Sequence, residues 1–159
     1  MKKNIFQKEA KKAFLIELNE LKAFYASKDF NVGDLCQEIL NCKGKVFLTG
    51  VGKSGHIANK ISATFSSVGI PSFFCDPAQA LHGDMGQIEK KDILIIFSYS
   101  GNTSELNNML KYANRFRVKI IGVASKPDSV LLKASDVKLI LPKVKEADVI
   151  NMVPTTSTS

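Results

Sequence analysis

The chain has 159 residues, 45% of them hydrophobic and 23% charged, with 22 Lys and Arg against 15 Asp and Glu. A chain of this size and apolar content builds one hydrophobic core and is not intrinsically disordered. It contains no run of about 18 apolar residues that would span a bilayer, and Met1 to Lys12 carries charge without the apolar stretch of a secretory signal. A cytoplasmic protein without a membrane partner is expected.

The net charge of +7 is nearly all lysine, since Arg115 and Arg117 are the only arginines. Nucleic-acid readers gather Arg forks on one face. Here the lysines are spread along the chain, so no nucleic-acid partner is expected and small anionic ligands remain. Cys36, Cys42 and Cys75 are odd in number and form no C-x-x-C pair, and only His56 and His82 could complete a zinc site. Neither a disulfide framework nor a metal site is expected, and all three thiols are expected to be buried or half-buried.

Taken in chain order, Asn4 to Ala26 reads as a helix, with Phe6, Ala10, Ala13, Phe14, Glu17, Leu21 and Phe24 at three- and four-residue steps. A second helix, about Val32 to Asn41, is introduced by Asp29–Asn31 and closed by Cys42-Lys43-Gly44. The pattern then changes to short apolar runs: Val46–Thr49, Ser72–Cys75, Ile93–Phe97, Val118–Val123 and Val137–Leu141. Helical stretches follow the first, from Ile57 to Val68, and the third, from Leu106 to Phe116. Runs that are continuous rather than alternating are buried on both faces. The chain is thus an α/β protein, a three-layer doubly wound five-stranded parallel sheet in the order 2-1-3-4-5. Residues 1–45 form an N-terminal helical extension and residues 46–159 the sheet domain.

Two loops follow strands and precede helices. Gly50, Gly52 and Gly55 satisfy G-x-G-x-x-G, with Asp76 about 20 residues on, as in a dinucleotide fingerprint. Any tight strand-to-helix turn favours glycine, however, and Phe47 stands where a Walker A loop needs one. The second loop, Ser98-Tyr99-Ser100-Gly101-Asn102-Thr103, brings hydroxyls and a glycine to a helix start, whose free N–H groups and positive dipole end attract phosphate. Thr103 or Asn102 alone would make an ordinary cap. The additional hydroxyls point to a phosphate anchor of Ser98, Ser100, Gly101 and Thr103.

S-x-S-G-x-T at a strand-to-helix junction resembles the phosphosugar signature of the sugar isomerase (SIS) domain. GVGKSGHIANKISATFSSVGIPSFF, PAQALHGDMGQI and PTTSTS resemble one branch, the arabinose-5-phosphate isomerases, over essentially the whole chain. The resemblance implies interconversion of D-ribulose 5-phosphate and D-arabinose 5-phosphate through an enediolate. That reaction feeds 3-deoxy-D-manno-octulosonate synthesis for lipopolysaccharide or capsule. It further implies a cytoplasmic, cofactor-free homo-oligomer, dimer or tetramer, with a pentose 5-phosphate as substrate.

The same resemblance makes Lys53 the site lysine, His82 an acid/base or ring-opening group, and Glu105 and Glu146 the candidate bases. Gly52 and Ser54 bind substrate beside Lys53, and Thr155, Thr156 and Ser157 form a second wall. On the residues alone, Glu105 is also a favourable first-turn carboxylate, Glu146 a charge in a mixed loop, His82 a loop imidazole and Lys53 a plain phosphate ligand. Family members continue past PTTSTS with a long helix, a further histidine loop and often a CBS pair, so a fragment lacking that helix is expected. A sugar-phosphate-sensing SIS module without catalysis and, on the glycine loop and Asp76, a nucleotide-binding oxidoreductase are the alternatives. The first helix offers an apolar stripe for self-association.

Overall fold

Successive side chains of a strand point to opposite faces of its sheet, so a strand buried on both faces needs a helical layer on each side. The computed structural model describes residues 2–28, 32–148 and 153–158, with side chains from Asn4 onward. Its helices are α1 (Lys2–Tyr25), α2 (Gly33–Asn41), α3 (Lys53–Ser67), α4 (Pro77–Ala80), α5 (Asn107–Phe116) and α6 (Val130–Ala134). Its strands are β1 (Val46–Gly50), β2 (Ser72–Phe74), β3 (Ile93–Phe97), β4 (Lys119–Ala124) and β5 (Val137–Ile140). All pairings are parallel, in the expected order β2-β1-β3-β4-β5.

Alternation divides the core in two. Val46, Leu48, Ile93, Ile95, Ile121 and Val123 face Ile39 of α2 and Ala58 of α3. Phe47, Leu94, Ile96, Ile120 and Ala124 face Leu106, Met109, Leu110 and Ala113 around α5, with Leu131 and Leu132 of α6. Each fully buried Leu or Ile contributes about 1.5–3 kcal/mol, so β1, β3 and β4 carry most of the stability. The amino ends of β1 and β3 are tied by Asp92, which is 1% exposed. Its carboxylate accepts the N–H groups of Lys45 and Glu89, each at 2.8 Å. Gly44 leaves room for it, since a Cβ there would lie 2.0 Å from Asp92 Oδ1.

Residue contacts divide the chain into a unit of Asn31–Leu141, which holds the sheet and α2–α6, and a unit of Met1–Phe30 with Pro142–Ser159. α2 packs on the sheet through Ile39, with Leu35 and Cys42 half-buried beside it. The sheet unit therefore starts ahead of residue 46, and Asp29–Asn31 lies outside the described residues. In the other unit α1 touches a 3-10 turn at Thr156–Thr158. Among the described residues no helix is long and apolar enough to cross a membrane. The thiol expectation needs one correction: Cys75 is buried and Cys42 half-buried, but Cys36 is exposed, because it lies on the side of α2 turned from the sheet.

Candidate functional site

In a doubly wound sheet the connections on either side of the order reversal leave toward opposite faces and open a crevice at the carboxyl edge. Here the reversal lies between β1 and β3, whose last residues, Gly50 and Phe97, are paired. The two loops singled out in the sequence therefore leave the sheet side by side.

The first loop turns at Gly52, whose φ is 59°, a region costly for residues bearing a Cβ. Gly50 and Gly55 serve a close approach of helix to strand, since a Cβ on Gly55 would lie 2.7 Å from the Gly50 carbonyl oxygen. α3 then begins at Lys53 with no acidic residue in its first turn and no side chain capping it. Lys53 is exposed and forms no ion pair among the described residues. A lysine opposes the positive end of the helix dipole, at a cost of about 0.3–1 kcal/mol, whereas an anion bound there is favoured by both. Ser54, half-buried, follows in the same turn.

The nucleotide reading of this loop is not sustained. Asp76, weighed as its ribose partner, is instead the N-cap of α4, with Oδ1 accepting from Ala78 N at 2.8 Å and Gln79 N at 3.2 Å. The glycine pattern and the downstream acid are both explained by turn and cap geometry.

The second loop is not an ordinary helix cap. Neither Thr103 nor Leu106 makes a side-chain cap bond to the segment that follows it. Thr103 Oγ1 lies 2.7 Å from Ser98 Oγ, and that Oγ accepts Gly101 N–H at 3.1 Å. Asn102 Oδ1 accepts the Val130 N–H at the start of α6. Ser100 Oγ accepts Asn102 N–H at 3.3 Å. Gly101, at φ 67°, packs on Ser129. Hydroxyls are thus gathered around the turn while α5 keeps its own amino end, as an anion anchor requires.

Glu105 follows, exposed, with Oε2 accepting from Ser104 Oγ at 2.9 Å. Its own N–H and that hydroxyl hold the carboxyl below its ordinary value. His82 sits exposed in the turn between α4 and a 3-10 turn at Asp84–Gln87.

Glu146 and Pro154–Thr158 lie in the other unit, where the structure brings Glu146 together with Thr155 and Ser157. Glu146 Oε2 accepts from Thr155 N at 2.7 Å, Thr155 Oγ1 at 2.9 Å and Ser157 N at 3.3 Å. Burial pushes this carboxyl upward, but the donors of Ser157 and Thr155 outweigh it and leave it below its ordinary value. Thr155 Oγ1 also accepts Ala147 N–H at 2.8 Å. Thr156 is buried, and its hydroxyl has no hydrogen-bond partner among the described residues. An unsatisfied buried hydroxyl costs about 1–3 kcal/mol unless a ligand meets it. The sequence reading gave Asn102 only a capping role and missed Ser125 and Ser129, which with Asn102 hold the back of the second loop. Their signal was a serine just past a strand end and another at a helix start.

The sequence matches the SIS domain over residues 39–159. It is 40% identical over 157 residues to arabinose 5-phosphate isomerase KdsD of Escherichia coli K12, a match covering 97% of this chain and 47% of that protein. It is 42% identical over 153 residues to KdsD of Francisella tularensis, covering 94% and 47%. The chain thus spans about half the length of these curated relatives. A solved structure of an Escherichia coli CFT073 protein in complex with arabinose 5-phosphate superposes with a TM-score of 0.94 at 33% identity, covering 99% of this chain and 84% of that one. On the matched sequence, the strand order and the paired loops at its reversal, the chain belongs to the SIS domain family, as a relative of KdsD.

Proposed function

We propose that the chain is the isomerase domain of an arabinose-5-phosphate isomerase, interconverting D-ribulose 5-phosphate and D-arabinose 5-phosphate in the cytoplasm. The product would serve 3-deoxy-D-manno-octulosonate synthesis for lipopolysaccharide or capsule. One observation carries the reading: at the order reversal, Ser98 and Thr103 turn their hydroxyls to each other rather than to the helix. They do so in the loop beside an uncapped helix start that bears Lys53.

In this reading Ser98, Ser100, Gly101 and Thr103 hold the phosphate, with Gly52 and Ser54 of the neighbouring turn against the sugar. A base removes a C1 proton of the ketose, charge develops on O2, and the enediolate is reprotonated at C2 to give the aldose, with no net change of oxidation state. Lys53 stabilises the oxyanion and His82 moves a proton between O1 and O2 or opens the ring. Of the two glutamates we assign the base to Glu105. Its exposed carboxylate is held by a neighbouring hydroxyl, whereas Glu146 would have to release the donors of Thr155 and Ser157. Thr155, Thr156 and Ser157 join the proposal on the family resemblance and on the unpartnered hydroxyl of Thr156.

Incubation with D-ribulose 5-phosphate is expected to yield D-arabinose 5-phosphate, and no conversion would overturn the assignment. Saturable binding of either pentose phosphate without turnover would favour the sensing module instead. Homo-oligomerisation is proposed through α1, where Phe14, Leu18, Leu21 and Tyr25 fall on one stripe and are 41–77% exposed. Sedimentation as a monomer would count against it.

A further inference from the structure

We propose that Ser125, just past the carboxyl end of β4, is a positioning residue for the phosphate loop. The proposal rests on the reading of Ser98–Thr103 as a phosphate anchor. The ladder between β3 and β4 runs on to Ser98, whose N–H donates to the Val123 carbonyl at 3.0 Å. The next carbonyl outward, that of Tyr99, accepts both Ser125 N–H at 2.9 Å and Ser125 Oγ–H at 2.7 Å. Ser125 is 7% exposed, so both donors are committed inside the fold rather than shared with water.

The consequence follows from peptide geometry. In a planar trans peptide the C=O and the following N–H point in opposite directions. Holding the Tyr99 carbonyl toward β4 therefore turns the Ser100 N–H away from β4, to the side of the order reversal. The same device recurs at Gly101, whose carbonyl accepts the Leu131 N–H at 3.0 Å, while the Asn102 side-chain oxygen accepts from Val130 N–H at 3.0 Å. The Tyr99 and Gly101 carbonyls are thus drawn to the back of the loop by Ser125 and α6, and neither faces the side toward which the Ser100 N–H turns. A bound anion is repelled by any carbonyl that swings toward it and attracted by a concavity of N–H groups. Ser125 does this work from outside the S-x-S-G-x-T signature. Deleting its hydroxyl leaves the backbone bond to Tyr99 in place, so the sheet end stays intact while the peptide loses one of its two anchors.

The test uses the full chain with S125A and S125T, read by steady-state conversion of D-arabinose 5-phosphate and by apo melting temperature. One hydrogen bond to a carbonyl is worth about 0.5–1.5 kcal/mol, so S125A is expected to raise KM about three- to ten-fold with kcat changed less than about two-fold. S125T, which keeps the hydroxyl, is expected to restore the wild-type KM, and the apo melting temperature of both variants to stay near wild type. An active wild type with S125A at unchanged KM overturns this proposal alone. So does an S125A whose KM and melting temperature fall outside the range together without rescue by threonine, which would make the role structural. A wild type that neither binds nor converts pentose 5-phosphates overturns the phosphate reading and this proposal with it.

Discussion

The substitution Gly101→Ala probes the loop without removing any hydrogen-bonding group. At φ 67° the backbone of Gly101 is left-handed, where an L side chain costs about 1–2 kcal/mol. A Cβ there would also stand 2.2 Å from Ser129 Oγ, 2.4 Å from Ser129 Cβ and 3.1 Å from Ala124 Cβ. These atoms cannot retreat freely. Ser129 is 2% exposed and its Oγ caps α6 at Leu132 N, while Leu131 N holds the Gly101 carbonyl. Overpacking of that kind costs about 1–3 kcal/mol. The sum is about 2–5 kcal/mol, a fall in Tm of roughly 5–15 °C for a chain of this size. The contact can largely be separated from the backbone strain by adding Ser129→Gly, which removes the two nearer of the three atoms and weakens the cap by only a few tenths of a kcal/mol. Urea and thermal melts of the four species of the cycle should show the double variant recovering the overpacking share, leaving about 1–2 kcal/mol of backbone cost. Additive losses, or an unperturbed Gly101→Ala melt, would refute the argument.

The other expectations concern stability, thiol reactivity, pH and turnover. Asp92→Ala removes a buried carboxylate and the acceptor of the partly buried bonds from Lys45 N–H and Glu89 N–H, and should cost about 2–5 kcal/mol in urea unfolding; a loss below about 1 kcal/mol would contradict the clamp. Burial, with Asp84 and Asp76 nearby, pushes the Cys75 thiol from 9.0 up to about 11. A disulfide reagent near pH 8 should therefore label Cys36 first and Cys75 only on unfolding, and early labelling of Cys75 would argue against its burial. Because the folded Glu146 carboxyl lies below its ordinary 4.5, its stabilisation is present above that value and is lost as pH falls through the lower folded value. The gap in Tm between wild type and Glu146→Gln should accordingly close toward acid pH, and a gap independent of pH would refute the anionic clamp. Glu105→Gln should lower kcat by about 10²–10⁴ if Glu105 is the base, and normal turnover would remove it from that role.

What was legible in the sequence tracks how much apolar periodicity an element carries. β3 and most of β4 are buried on both faces, so Ile93–Phe97 reads as an uninterrupted apolar run and Val118–Val123 as one broken by the exposed Lys119, each within a residue of the strand observed. The order reversal followed from topology rules once five parallel strands were counted. α4 and α6 were missed because they hold one turn or little more, too short for any 3.6-residue pattern. They are set by single caps, Asp76 and Ser129, and a capping Asp looks identical in sequence to a ribose-binding one. α1 was legible as a helix but not as to its faces. Ala13 and Phe24 are half-buried, while Phe6, Phe14 and Leu21 of the same apolar set are exposed.

The site divides along the same physical line. Glycines and hydroxyls at strand-to-helix turns announce themselves, because few other residue types tolerate those angles or supply those donors, and Gly52, Gly101, Ser98 and Thr103 stood out for that reason. Their supporting partners did not. Ser125 and Asn102 act through a backbone carbonyl and a backbone N–H, contacts that leave no spacing rule because they join segments more than 25 residues apart in sequence. The charged candidates fall between these cases. Glu146 reads as solvated charge until Thr155 and Ser157 are seen to donate to it, and Lys53 reads as a plain phosphate ligand whose place at an α3 start without a capping side chain only the structure shows. A lysine placed against the helix dipole, at an amino end with no side-chain cap, is unfavourable for folding alone. That mismatch between local stability and local chemistry is what supports the ligand role proposed for Lys53.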